Sequence, residues 1–139
     1  MTNSPTVLIV DDEDVLRDGC RRALEKEGLH VMEAPTAPRA LELMAQTPCE
    51  VVLLDLKMPG MSGMEALRKI RDLHNETTII VVTGYPSVET AVEAMKWGAV
   101  DYLTKPFDAE SLRVTVSRAL ARTSLEDDEW EVGVESAGL

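Results

Sequence analysis

Five short runs rich in Val, Ile and Leu recur at fairly even spacing along the chain: TVLIV at 6–10, LHVMEA at 29–34, EVVLL at 50–54, TIIVV at 78–82 and AVDYL at 99–103. Three of them are continuously apolar rather than alternating, the pattern of strands buried on both faces. Helical periods lie between them. Val15, Leu16, Cys20, Ala23 and Leu24 share one face of a helix ending at Gly28, and Ala37, Ala40, Leu41, Met44 and Ala45 share a face of the next. Met64, Leu67, Ile70 and Leu73 repeat less regularly; Val88, Ala91, Val92 and Met95, then Leu112, Val116, Ala119 and Leu120, repeat clearly. The predicted order is (βα)5. Each crossover must return to the same end of the sheet, so the strands are parallel, and right-handed crossovers place helices on both faces. Five units point to an α/β three-layer sandwich of the flavodoxin-like kind with strand order 2-1-3-4-5, in which strands 1 and 3 flank the topological switch point.

The 139 residues, 45% hydrophobic, suit one domain with one compact core. No apolar run reaches membrane-spanning length and no charged-then-apolar leader follows Met1, so the expectation is a cytoplasmic protein with no membrane association. Cys20 and Cys49 lack any CxxC or Cys/His pattern and read as core filler. A net charge of -11 argues against direct nucleic-acid binding. Six acids and no base follow Arg122, which leaves -5 for residues 1–122 and -6 for the remainder. That shift predicts a domain over 1–122 and an acidic linker or tail over 123–139.

The residues that follow the strands carry the chemistry. Asp11, Asp12, Glu13 and Asp14 follow the first, Asp55 ends the third, Thr83-Gly84 follows the fourth and Lys105-Pro106 the fifth, so all land on one rim of the sheet. Neighbouring strands lie about 4.8 Å apart. Carboxylates at the ends of strands 1 and 3 therefore crowd together, and cannot all ionise unless a cation neutralises them. Magnesium, which takes few carboxylates, several waters and often a phosphate oxygen, fits better than calcium or zinc; His30 and His74 lie away from this rim. Asp55 could ligate such a metal or attack phosphorus to form an acyl phosphate, with Thr83 and Lys105 as donors to the phosphoryl oxygens.

Over residues 5–122 the chain resembles the receiver domains of bacterial two-component response regulators. The matching motifs are VLIVDDE with Asp11 and Asp12, VVLLDLKMPGMSG with Asp55, IIVVTGY with Thr83 and GAVDYLTKPF with Tyr102, Lys105 and Pro106. The resemblance implies that Asp12, Asp55 and the backbone carbonyl of Lys57 ligate Mg2+, with Asp11 holding it directly or through water. It implies that Asp55 takes the phosphoryl group of a sensor kinase's phosphohistidine, that Lys105 binds the phosphoryl oxygen and that Thr83 closes onto it. Tyr102 matches the aromatic that turns inward when the threonine moves, remodelling the surface over the fourth helix, fifth strand and fifth helix. In the family the Lys105-Pro106 bond is usually cis, and the residues at Lys57 and Tyr85 are expected to tune the lifetime of the acyl phosphate. The fourth-helix sequence and GAVDYLTKPF resemble receivers attached to transcriptional activators of the nitrogen-regulatory kind.

Duller and rival readings exist. Acids after a strand commonly cap a helix and favour its dipole, Thr83-Gly84-Tyr85-Pro86 reads as a turn before a Ser87-capped helix, and Lys105-Pro106 alone reads as a turn. Asp55 has no capping role, because the third helix starts some eight residues later. A magnesium-dependent phosphatase of the haloacid-dehalogenase type would want an Asp at position 57, where Lys57 stands. A nucleotide or flavin binder would want a phosphate-cradling loop after the first strand, where the acidic run repels phosphate. A degenerate receiver that only binds a partner would not need Asp12, Asp55, Thr83 and Lys105 together. Arg113, Arg118 and Arg122 opposite Glu89, Glu93 and Asp101 suggest a homodimer promoted by phosphorylation.

Overall fold

The three unbroken apolar runs form the middle of a five-stranded sheet. The computed structural model describes residues 4–122; the predicted tail, 123–139, lies outside the described residues. Strands and helices alternate as β1 (Thr6–Val10), α1 (Asp14–Glu25), β2 (His30–Ala34), α2 (Ala37–Gln46), β3 (Val51–Asp55), α3 (Gly63–Leu73), β4 (Thr78–Thr83), α4 (Val88–Lys96) and β5 (Ala99–Thr104), and α5 covers 109–122. Every neighbouring pair of strands is parallel, in the order β2-β1-β3-β4-β5. This is the expected topology. β1, β3 and β4 are buried along their whole length, whereas the edge strands β2 and β5 are only partly covered.

The two-residue period of each strand divides the core into two layers. Leu8, Val10, Val52, Leu54, Ile79 and Val81 face α2, α3 and α4, meeting Met44, Leu67, Ile70 and Ala94. Val7, Ile9, Val51, Leu53, Ile80 and Val82 face α1 and α5, meeting Leu24, Leu112 and Val116. Each fully buried Leu or Ile contributes about 2 kcal/mol. Thr36, Ser62 and Ser87 cap α2, α3 and α4, their hydroxyls accepting from the N–H groups of Arg39, Glu65 and Thr90.

Several helix faces differ from the periodic reading. Val15 is 87% exposed, and Leu73 and Ala45 also face outward. In α4 the stripe Val88, Val92 and Met95 lies outside, and the one fully buried residue is Ala94. The stripe at 88, 92 and 95 and the buried position 94 sit about 120° apart on a helix of 3.6 residues per turn, so the small residue, not the large ones, seats this helix. β3 and β4 each run one residue beyond the apolar run. Asp55 stays in register with Val82, and Leu56 N–H donates to the Val82 carbonyl at 3.0 Å, so the polar residue is part of the ladder. Both cysteines are buried free thiols, and burial pushes each to about 11.

Candidate functional site

The register delivers Asp11 and Asp55 to the same rim. Asp11 follows β1 directly and is 2% exposed. Its backbone N–H donates to the Ala34 carbonyl of β2 at 3.1 Å, and its own carbonyl accepts from Arg17 Nη1 of α1 at 2.6 Å. Its Oδ1 accepts from Glu13 N–H at 2.9 Å and its Oδ2 lies 2.8 Å from Lys105 Nζ. Asp55 ends β3 and is equally buried; Oδ1 accepts from Lys57 N–H at 3.0 Å and Oδ2 from Lys105 Nζ at 3.3 Å. Asp12 is exposed beside them. One carboxylate oxygen from each of Asp11, Asp12 and Asp55 lies within 4.8 Å of the other two. Octahedral magnesium with ligands at about 2.1 Å places its ligand oxygens roughly 3 to 4 Å apart, so a small contraction would seat the ion. An all-oxygen, carboxylate-rich donor set suits it.

Lys105 is the counter-ion of this cluster. Its ammonium lies 2.8 Å from Asp11, 2.9 Å from Glu13 and 3.3 Å from Asp55. Burial pulls its pKa down, but the hydrogen bonds to Asp11 and Glu13 and the charges of Asp11 and Asp55 outweigh that and raise it. For Asp55, burial pushes the carboxyl up; the Lys57 N–H opposes this, the Asp11 charge adds to it, Lys105 opposes it, and the net direction is upward. One lysine does not neutralise the cluster.

Glu13 shows how little of the acidic run is a capping device. It occupies the N-cap of α1 yet makes no side-chain cap bond; its carboxylate goes to Lys105 instead. Only Asp14 sits in the first turn, where a negative charge favours the helix dipole.

Thr83 ends β4, is buried, and its Oγ1 accepts from Tyr85 N–H at 3.0 Å. Its carbonyl accepts from Lys105 N–H at 2.8 Å, tying the two rim residues together. The Lys105–Pro106 bond is cis. A Cβ on Gly84 would make only ordinary contact with Lys105, at 3.8 Å. Above this, Lys57 Nζ lies 4.6 Å from the centroid of the Tyr85 ring. Tyr102 on β5 packs against the α2–α4 layer, and its hydroxyl is buried with no hydrogen-bond partner among the described residues. His30 is exposed and His74 half-buried at the end of α3.

Three contributors were given no role of their own by the sequence pattern. Glu13 is a ligand of Lys105, and Arg17 holds the Asp11 carbonyl. Gly63, the first residue of α3, lies so close to the loop after β3 that a Cβ would sit 2.2 Å from Leu56 Cα and 2.8 Å from the Asp55 carbonyl oxygen. The glycine in MSGME was a detectable signal, since glycine is poor in a helix but permits close backbone approach.

A parallel five-stranded sheet with buried acids, a threonine and a lysine at the carboxyl ends of its strands defines a receiver. Residues 7–117 match the response regulator receiver domain family, and the chain belongs to that family. It is 41% identical over 128 residues to regulatory protein AtoC of Escherichia coli (strain K12), covering 92% of this chain and 28% of AtoC. With transcriptional regulatory protein FixJ of Azorhizobium caulinodans it shares 36% identity over 143 residues, covering all of this chain and 68% of FixJ. It thus spans under a third of AtoC and about two thirds of FixJ. Its fold matches the crystal structure of a response regulator receiver domain protein from Methanospirillum hungatei with a TM-score of 0.86 at 33% identity, over 89% of this chain and 99% of that one. Among the described residues no helix is long and apolar enough to cross a membrane.

Proposed function

We propose that this receiver is a magnesium-dependent phosphoacceptor switch in which Asp55 takes the phosphoryl group from the phosphohistidine of a sensor histidine kinase. The observation that carries the reading is the buried Asp55 carboxylate with Asp11, Asp12 and Lys105 gathered around it. Asp12, Asp55 and the Lys57 carbonyl would hold Mg2+, with Asp11 holding it directly or through water; bound there, it would neutralise the crowded acids and the incoming phosphoryl oxygens. An Asp55 oxygen attacks phosphorus, the P–N bond to the donor imidazole breaks, and the imidazole leaves with that electron pair. The mixed anhydride is later lost to water. The chain is in this reading a regulatory acceptor that promotes only its own modification.

Lys105 must then exchange Glu13 and Asp11 for a phosphoryl oxygen, and the Thr83 hydroxyl, which accepts from Tyr85 N–H and keeps its own proton to give, must turn to donate it to another. Tyr102 reads the change. Its hydroxyl is buried without a partner among the described residues, which costs about 1 to 3 kcal/mol, so the phosphorylated state is favoured if it supplies the missing acceptor. The altered surface over α4, β5 and α5 would promote a homodimer, for which the outward stripe Val88, Val92 and Met95 offers apolar area. Of the charges on that face, Arg118 is engaged with Asp101 at 3.1 Å and Glu93 with Arg68 of α3 at 3.2 Å, so dimer ion pairs would have to replace intrachain ones. The matches to 28% of AtoC and 68% of transcriptional regulatory protein FixJ support reading the chain as the receiver part of a longer regulator, with 1–122 as the receiver and 123–139 as its acidic linker.

Mass spectrometry after incubation with acetyl phosphate tests the reading. One added phosphoryl group is expected on Asp55 with Mg2+ present, and none with EDTA or in Asp55→Asn. Uptake by Asp55→Asn at the wild-type rate would refute the assignment.

A further inference from the structure

We infer that Arg17 is a positioning residue that holds the acidic loop in the geometry its metal requires. The inference rests on the reading that Mg2+ sits among Asp11, Asp12 and Asp55. Arg17 lies on α1, with its side chain 12% exposed. Its guanidinium divides its donors three ways: Nη1 to the Asp11 carbonyl at 2.6 Å, Nε to Glu33 Oε1 of β2 at 3.2 Å, and Nη2 to Asp14 Oδ1. Glu33 is itself held from the other side by Arg21 Nε at 3.1 Å. The planar fork is therefore braced by a neighbouring strand and delivers one fixed donor to the backbone between Asp11 and Asp12.

That backbone carbonyl is the joint at which the chain leaves β1 and turns into the acidic run. The Ala34 carbonyl fixes the amide on one side of Asp11 and Arg17 fixes the carbonyl on the other, so both carboxylates are aimed by main-chain anchors. Without Arg17 the carbonyl would turn to water and the Asp11–Asp12 peptide would gain freedom, which the metal would then have to remove.

The sign of the effect separates positioning from charge. Arg17 is a cation beside a cation site, so simple electrostatics predicts that removing it tightens metal binding. Positioning predicts the reverse. Loss of an outer contact that orients ligands typically weakens metal affinity roughly 10- to 100-fold.

The test is Mn2+ binding to the full chain, read by the loss of the free-ion electron paramagnetic resonance signal, with Mg2+ competition. Arg17→Ala is expected to weaken Mn2+ binding about tenfold or more, and Glu33→Gln to weaken it less but in the same direction. Arg21→Ala is the comparison, because it removes the same charge from α1 but touches the brace only through Glu33, its remaining bonds going to Asp18 and Glu25; its loss should be well below that of Arg17→Ala. Unchanged or tighter binding by Arg17→Ala, or equal loss in Arg21→Ala, overturns the inference. Should Arg17→Ala not fold, unchanged affinity in Glu33→Gln overturns it equally. Failure of the wild-type chain to bind Mn2+ would instead overturn the metal site itself.

Discussion

Replacing Lys105 with Met keeps most of the side-chain stem and removes the charge that the acidic cluster shares. The side chains of Asp11 and Asp55 are each 3% exposed and that of Lys105 is 15% exposed, so solvent screens these two contacts little. Glu13 is 61% exposed and its pair adds little. Removing one partner of a buried pair costs about 3 to 5 kcal/mol. A ceiling comes from proton chemistry: keeping a carboxyl of ordinary value 3.8 protonated at pH 7 costs about 4.4 kcal/mol, and the cluster can always escape by that route. Partial solvation of Lys105 lowers the expected loss to about 3 kcal/mol. Urea denaturation at pH 7 in EDTA measures it. The variant's pH dependence has a definite sign. Burial already raises Asp55 above its unfolded value, and losing Lys105 raises it further, so the folded state binds more protons than the unfolded state and stability must rise as pH falls from 7 toward 5. Saturating Mg2+ should recover more stability in the variant than in wild type, because no ammonium competes for Asp11 and Asp55. A loss below about 0.5 kcal/mol, the size of an ordinary surface change, or falling stability on acidification, would refute the account of Lys105 as the cluster's counter-ion.

Asp55→Asn removes the buried charge itself; in EDTA at pH 7 its urea midpoint should lie above that of wild type, and a lower midpoint would contradict the upward direction assigned to Asp55. Gly63→Ala should cost about 3 kcal/mol through backbone overlap with Leu56, visible in thermal melts as a loss that Gly84→Ala does not share. Tyr102→Phe should leave the unphosphorylated protein as stable or slightly more so, since the lost hydroxyl has no partner among the described residues, while reducing the acetyl-phosphate-induced change in amide exchange over α4. Val88→Ser with Val92→Ser should change stability by less than about 1 kcal/mol yet abolish phosphorylation-promoted dimers in gel filtration; dimers of undiminished strength would move the interface elsewhere.

The topology was legible because each central strand is apolar on both faces and each crossover is helical, so TVLIV, EVVLL and TIIVV could occupy only the middle of a parallel sheet. The rim followed from it: once β1 and β3 are neighbours, Asp11 and Asp55 must meet. Legibility failed where a side chain's partner comes from an unrelated element. Nothing local to Glu13 predicts Lys105, 92 residues away, and nothing in α1's apolar period marks Arg17 as a brace for a carbonyl. In α4 the periodic reading chose the wrong side, since Val88, Val92 and Met95 form the stronger apolar stripe while Ala94 makes the buried contact. Period detects amphipathicity, and a helix apolar on two faces defeats it.

Helix α4 is moored to the sheet by one methyl group's worth of complete burial, where α3 contributes Ala66, Leu67 and Ile70. Moving it would therefore sacrifice little cohesion, and in the proposed switch a rearrangement at the rim worth only a few kcal/mol would suffice to shift its resting position. In the proposed switch, the element beside Thr83 and Tyr102 is thus the helix with the fewest fully buried anchors among the described residues, and the rest of the sandwich would serve as the frame against which it shifts.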